Sequence, residues 1–482
     1  MRLKHLLPAC LPLGLNVQGA VAAPAAERPN FLIIVTDQQS LNMMSYFSGD
    51  RYFSTPNMDF LARSGYTFSQ SYCTYPLSVP SRVALFTGQY PATFGVRKNH
   101  KIEEMDQVDV DAIERYYPNM LGSLFSQAGY DVYYGGKSHL TTRAGNNTGD
   151  TAPYGFPERF SRDEHGALGK KAAQLLASLH AKADKPFLMV ASFINPHDIC
   201  DYHVLIKPEG DRERVQKLPK MDATLRYIRE ITARYTETEL YDEILPPLPP
   251  NHGLTADAPE EAVPAPKPKY TPEHWQMHQW IYGKLTEDVD RDIAPIIEVL
   301  RKKKMLENTV VVFVSDHGDL QGAHRREMKM APYQEAQLVP FVFTGHGIQQ
   351  GKLDRMNVVN SGIDLLPTLC DLAGIEIPDG MPGHSLGPVL TGKVRELNRN
   401  HIFCEGPNWF QVIRDGRYKY TVFEAKGHPD MLIDLKTDPG EMQNLSNNPD
   451  YKALRDELRA MLMQQLEKRG IVLRDNVRRP TI

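Results

Sequence analysis

Asp37 and Gln38 close one short apolar run of the chain, and Asp316 and His317 close another. A hard divalent cation wants several oxygen ligands, which Asp37, Gln38 and Asp316 can supply, with His317 adding a nitrogen or an outer-sphere contact. Between them lies Ser78-Val79-Pro80-Ser81-Arg82, a hydroxyl four residues ahead of a guanidinium. Lys137 and His139 follow a Gly-Gly pair, His197 follows Asn-Pro, and Lys329 lies thirteen residues beyond Asp316. Imidazoles change charge near neutral pH and suit proton transfer, while the cations can offset the charge of an anion. Each piece also has an ordinary structural meaning. Asp37 suits a helix N-cap, Asp316 and His317 a buried hydrogen-bonded pair, Ser81 the cap of a proline turn, and a lone lysine a solvated charge.

The elements that must position these groups share one form. Phe31 to Val35 runs into Thr36-Asp37-Gln38, Val310 to Val314 into Ser315-Asp316-His317, Phe187 to Ile194 into Asn195-Pro196-His197-Asp198, and Val132 to Tyr134 through Gly135-Gly136 into Lys137 and His139. Continuous apolar runs of this length suit parallel strands covered on both faces by helices. In such sheets ligands bind beyond the carboxyl ends of the strands, so all four polar clusters are expected at one edge. Helical patterns separate the runs, as at Asn119 to Ala128 and Tyr282 to Leu300. The proline-rich stretch from Leu245 to Pro272 reads as an extended surface excursion. Past about Arg395 short strands and turns take over, with Asp415-Gly416 as a hairpin signal. A closing amphipathic helix carries Leu454, Leu458, Met461, Leu462 and Leu466 on one face and stops at Gly470.

A chain of 482 residues fits one large α/β unit with a smaller appended one. The net charge of -4, from 55 basic and 59 acidic side chains, supplies no global field for nucleic acid or an anionic membrane. Basic Arg2 and Lys4, an apolar stretch from Leu6 to Val17 and small residues from Ala20 to Ala26 predict a secretory signal over 1–25, too short and proline-broken to span a bilayer stably. The expected product is secreted or periplasmic. Cys10 sits very early for a lipid anchor. Cys73, Cys200, Cys370 and Cys404 form no C-x-x-C pair, which argues against a thiolate zinc site; one disulfide and free buried thiols both fit their spacing.

The segment Ser78 to Gln89, SVPSRVALFTGQ, resembles the sulfatase signature in its serine-type form, and RPNFLIIVTDQQ, YYGGKSHL, INPHD, VSDHGDLQGAH, YQEAQLVPFVF, RDGRYKY and LIDLKTDPGE extend the resemblance in one order along the chain. The resemblance implies an alkaline-phosphatase-like α/β fold: a large mixed, mostly parallel sheet flanked by helices over 26–394, and a smaller C-terminal α+β subdomain over 395–482. It implies that a serine-type maturation enzyme oxidises Ser78 to 3-oxoalanine (formylglycine), whose hydrate is the nucleophile. It places a metal, usually calcium with magnesium or manganese as options, on Asp37, Gln38, Asp316 and His317 beside position 78. It makes Lys137 and Lys329 sulfate-binding groups, Arg82 the group that steadies formylglycine, His197 the acid that protonates the leaving oxygen, and His139 the group that helps a sulfated hemiacetal collapse. Three positions depart from the commonest pattern: Gln38 replaces a frequent Asp, His317 a frequent Asn, and Ser138 the usual Trp. An amide for a carboxylate keeps the oxygen and lowers the site charge, so weaker calcium binding or tolerance of other cations is expected. His324, Asp319 and His100 stand near motif residues and read as structural or specificity-related.

The implied substrate is a sulfated saccharide of glycosaminoglycan or mucin type, with small aryl sulfates as another option. Candidate specificity segments are Asp198 to Tyr270, Arg97 to His100 and Asn408 to Arg414, where Trp409 fits either a sugar platform or the core. Two other functions fit the same residues: a phosphonate monoester or phosphodiester hydrolase, whose sites often carry the Gln and His variants, and a non-catalytic binder of sulfated glycans should Ser78 remain unmodified.

Overall fold

A computed structural model of the chain describes residues 28–99, 108–142, 145–146, 149–182, 185–206, 221–253, 262–267, 269–424 and 429–473. The expected leader over 1–25 and His100 lie outside them. In chain order the strands are β1 (Asn30–Asp37), β2 (Tyr66–Phe68), β3 (Ser71–Tyr72), β4 (Asp131–Gly136), β5 (Thr141–Thr142), β6 (Gly145–Asn146), β7 (Arg159–Ser161) and β8 (Phe187–Pro196). They continue with β9 (Thr309–Ser315), β10 (Phe341–Gly345), β11 (Lys352–Asp354), β12 (Val359–Asn360), β13 (His401–Gly406), β14 (Trp409–Arg414), β15 (Tyr418–Phe423) and β16 (Met431–Asp434).

Among the described residues the main sheet has eight strands, in the order β11-β2-β10-β9-β1-β8-β4-β7. Its centre is the parallel set β9, β1, β8 and β4, the four apolar runs singled out in the sequence. Every side chain of β9 is buried, as are all but the first of β1, because helices cover both faces. Phe31, Ile33 and Val35 turn to one face with Val310, Val312 and Val314, while Leu32 and Ile34 turn to the other with Val311 and Phe313. That alternation splits the core into two apolar layers, one on each side of the sheet. β10 alone runs antiparallel, between β9 and β2.

The helix Leu121–Gln127 occupies the span expected to be helical. The long helix is Pro272–Lys302, beginning ten residues before the periodic stretch, with the Thr271 hydroxyl capping the His274 amide and Pro272 in the first turn. Ahead of it, 246–253 and the described residues of 262–271 form no helix or strand, in keeping with an extended excursion.

A second sheet, β13-β14-β15-β16, is wholly antiparallel. Asp415 (φ 53°) and Gly416 (φ 60°) turn its β14–β15 hairpin in the left-handed region that Gly and Asp tolerate best. The helix Lys452–Lys468 packs Leu458, Leu462 and Leu466 onto Phe410, Val412 and Tyr420 of this sheet. The fold is therefore α/β, a large and mostly parallel sheet flanked by helices with a small antiparallel C-terminal sheet. Cys73, Cys200, Cys370 and Cys404 are free thiols.

Candidate active site

The carboxyl ends of β1, β9, β8 and β4 meet as their register requires: Thr36 pairs with Ser315, Asp37 with Pro196, and Gly136 with Ser192. Asp37, Lys137, His197, Asp316 and His317 follow from those ends. Gly136 is needed where it is. Its φ is +88°, and a Cβ there would lie 2.0 Å from the Ser192 carbonyl oxygen that accepts the Lys137 amide at 2.8 Å.

Ser78 begins the helix Ser78–Thr87, every residue of which is buried. Its hydroxyl therefore sits at the positive end of a helix pointed into the site. Ser78 Oγ lies 3.0 Å from His317 Nε2 and 3.5 Å from Lys329 Nζ. One turn on, Ser81 Oγ donates to the Asp316 carbonyl. Arg82 spans the two acids: Nε donates to Asp316 Oδ2 at 2.9 Å, one Nη to Asp37 Oδ2 at 3.0 Å, and the other Nη to Ser192 Oγ at 2.8 Å and the Lys137 carbonyl at 3.2 Å. Lys137 Nζ is 2.7 Å from the same Asp37 Oδ2.

Gln38 is held from every side. Its backbone N–H donates to Asp316 Oδ1 at 3.0 Å, and its carbonyl accepts from the Tyr282 hydroxyl. Its Nε2 donates to Asp319 Oδ2 at 2.7 Å, while Oε1 accepts from Lys329 Nζ at 2.6 Å and from Cys200 Sγ at 3.1 Å. Burial pushes the Cys200 thiol up to about 12, which keeps the S–H proton that makes this contact.

The electrostatics follow from burial and crowding. Burial raises the Asp37 carboxyl, but the neighbouring cations, Lys137 foremost with Arg82 and Lys329, outweigh it and hold the group well below the usual range. Burial and then the neighbouring Asp37 push Asp316 upward. Burial, reinforced by Lys137, brings His139 down to about 3, and burial with Lys137 and Lys329 lowers His197 as well. Both imidazoles are thereby biased toward their neutral forms near pH 7.

One oxygen of Asp37, Oδ1, is buried without a hydrogen-bond partner. One ligand atom each of Asp37, Asp316 and His317 lies within 4.8 Å of the others. The Gly318 carbonyl accepts a 2.9 Å hydrogen bond from His317 Nδ1, which leaves the lone pair of Nε2 facing Ser78. An orphaned carboxylate oxygen, a second carboxylate and an imidazole lone pair suit a divalent cation. The amide oxygen of Gln38 lies beside them but is engaged by Lys329.

Asp37, Gln38, Ser78, Arg82, Lys137, Asp316, His317 and Lys329 are thus linked by direct contacts at one edge, and His139 and His197 lie close enough to feel the charges of Lys137 and Asp37. His324 stacks on Tyr333 with ring centroids 3.8 Å apart, and Asp319 reaches the site only through Gln38. Trp409 is fully buried, so it serves the core and presents no face to a sugar. Sequence reasoning missed Ser192 and Cys200, whose only sequence signal is closeness to the INPHD segment, and Tyr282, which stands in the long helix far from every motif segment.

Comparison with known proteins shows what the chain resembles. Residues 29–375 match the Sulfatase family model, and residues 322–468 match the N-sulphoglucosamine sulphohydrolase C-terminal model. A Delta 4,5-hexuronate-2-O-sulfatase of Bacteroides thetaiotaomicron is 31% identical over 474 residues, covering 93% of this chain and 91% of the relative. The solved structure of a 2-O GAG sulfatase superposes with a TM-score of 0.72 at 27% identity, covering 93% of this chain and 95% of the other. A phosphonate monoester hydrolase of Silicibacter pomeroyi, at 20% identity and a TM-score of 0.68 over 92% of this chain and 96% of its own, shares the fold.

Proposed function

Because the chain belongs to the sulfatase family and is a sulfuric ester hydrolase, we propose that it removes sulfate from saccharides of glycosaminoglycan type, using position 78 as its nucleophile after oxidation to formylglycine. The observation that carries this reading is the setting of Ser78 Oγ at a buried helix start, 3.0 Å from His317 Nε2 and 3.5 Å from Lys329 Nζ. The saccharide class rests on the likeness to the hexuronate-2-O-sulfatase and the GAG sulfatase.

Asp37, Asp316 and His317, with Gln38 and position 78, would hold the divalent cation, calcium or alternatively magnesium or manganese. When bound, the cation supplies positive charge to the sulfate oxygens and to the attacking oxygen. The protein's own residues do the rest. Lys137 and Lys329 draw the sulfate group toward position 78 and offset its charge. Arg82, bonded to both carboxylates, keeps them at fixed separation. Burial first, and then Lys137 and Lys329, lower His197; a bound sulfate ester would oppose the ammonium part of that shift, and His197 is the group assigned to deliver a proton from a ring nitrogen to the leaving oxygen. His139, neutral in its buried place, can accept the proton of the remaining hydroxyl on residue 78 so that sulfate departs.

The leader over 1–25 supports export to the periplasm or beyond, and with it a partner enzyme that matures serine. Mass spectrometry of the peptide containing residue 78 tests the nucleophile: conversion of CH2OH to CHO removes two hydrogens. An unmodified serine in a fully active preparation refutes the formylglycine reading. Turnover of defined sulfated disaccharides tests the substrate class, and activity confined to phosphonate monoesters would overturn it.

A further inference from the structure

Lys329 lies on a backbone that its own residues do not favour. Met328 and Met330, on either side of it, have φ of 67° and 74°, and Gln321, His324 and Arg325 in the same loop are also left-handed. Side chains with a Cβ resist that region, so such a run persists only where its surroundings over-determine it. Three hydrogen bonds do so around Lys329. The Leu320 amide donates to the Met328 carbonyl at 2.6 Å, the Met330 amide donates to the Pro76 carbonyl at 3.0 Å, and the indole Nε1 of Trp409 donates to the Met330 carbonyl at 3.0 Å. The first two come from within the main unit. The third comes from the C-terminal sheet.

That third bond depends on its neighbours. Trp409 opposes Gly406 across β13 and β14, and a Cβ on Gly406 would lie 2.0 Å from Cε2 of the indole. Only glycine leaves room for the ring to lie over its partner strand and reach Met330. Gln411, on the same face of β14, adds a 3.2 Å bond from Nε2 to the Pro332 carbonyl. Apolar packing alone would bury a phenyl ring equally well at this position; the N–H is what the loop uses.

We propose that Trp409 is a positioning residue for Lys329: from the C-terminal sheet its indole N–H fixes the Met330 carbonyl, which holds the Lys329 ammonium between Gln38 Oε1 and Ser78 Oγ. The C-terminal sheet thereby belongs to the machinery that orients the anion, although none of its side chains is among the groups assigned to the reaction. The inference rests on the role given to Lys329 above.

The test is a double-mutant cycle with Trp409→Phe and Lys329→Met, read as kcat and KM on a sulfated disaccharide that the parent turns over. Trp409→Phe is expected to keep the fold, by circular dichroism and urea midpoint, and to lower kcat roughly tenfold, the scale of one lost hydrogen bond. In the Lys329→Met background it is expected to cost nothing more. The same factor in both backgrounds, or no loss in the parent, overturns the clamp alone. A Lys329→Met enzyme of undiminished turnover overturns the role of Lys329 and the clamp with it. Should Trp409→Phe not fold, Gln411→Leu, which cuts the adjacent tether to Pro332, goes through the same cycle under the same criteria.

Discussion

The Ser78 hydroxyl and the Nε2 of His317 lie 3.0 Å apart, with the opposite ring nitrogen of His317 bonded to the Gly318 carbonyl. A carbonyl only accepts, so the proton resides on Nδ1 and Nε2 presents its lone pair to the acids and to residue 78. His317→Leu should therefore weaken calcium binding by about 100-fold or more, since it deletes a donor rather than a supporting contact. His317→Asn, which restores an oxygen, should lose less. Calorimetric titration of the purified protein with calcium measures both, and equal affinity in the parent and the Leu variant would remove His317 from the cation site.

Arg82 makes a different kind of contribution. It is fully buried and neutralises Asp37 and Asp316 together. Removing it strands two carboxylates in the interior, so Arg82→Met should cost about 3–5 kcal/mol of stability. Arg82→Lys should recover little, because one ammonium cannot span both acids and Ser192 as a planar fork does. Urea denaturation of the three proteins decides the point.

The central strands were legible because each is a continuous apolar run ending in polar residues, a pattern that two-sided burial imposes. The reversed direction of β10 was not, since Phe341–Gly345 reads the same whichever way it runs. The first turns of the long helix were missed because His274, Gln276 and His278 dilute its apolar period; Thr271-Pro272 was the available signal. At the site, residue types and motif order singled out Asp37, Gln38, Ser78, Arg82, Lys137, Asp316, His317 and Lys329, which the structure brings into contact. The supports were harder to read. Ser192 and Cys200 enter through tertiary approach, and the left-handed run around Lys329 is imposed by bonds from Pro76 and Trp409, far away in the chain.

Glu335 provides a pH test away from the cation site. Its Oε1 accepts from Asn251 at 2.8 Å, while Oε2 is sealed from solvent without a hydrogen-bond partner. Burial and then the nearby Glu441 raise this carboxyl from 4.5 to about 7. An acid whose folded value is raised binds more protons folded than unfolded, so stability falls as pH rises from 4.5 through about 7. Glu335→Gln escapes that loss. Its urea midpoint should exceed the parent's at about pH 8, and the gap should close on acidification to about pH 4. A gap independent of pH would show that packing, and not charge, sets the difference.

Gln38 and Asp319 can be exchanged as a pair in charge type. Gln38→Glu alone sets two carboxylates against each other where Nε2 now donates to Asp319 Oδ2 at 2.7 Å, and should lower both stability and calcium affinity. Adding Asp319→Asn reverses the bond. The new Nδ2 donates to the carboxylate introduced at position 38, Oδ1 still accepts the Gln321 amide as it does now at 2.8 Å, and the second oxygen of that carboxylate still accepts from Lys329. The double variant should regain the parent's urea midpoint and bind calcium more tightly than the parent, because the amide oxygen beside the cation cradle has become part of a carboxylate. The prediction is thus a favourable coupling between the two substitutions, in both the denaturation and the calcium titration. Simple additivity would mean that Asp319 does not fix which end of the Gln38 amide faces Lys329.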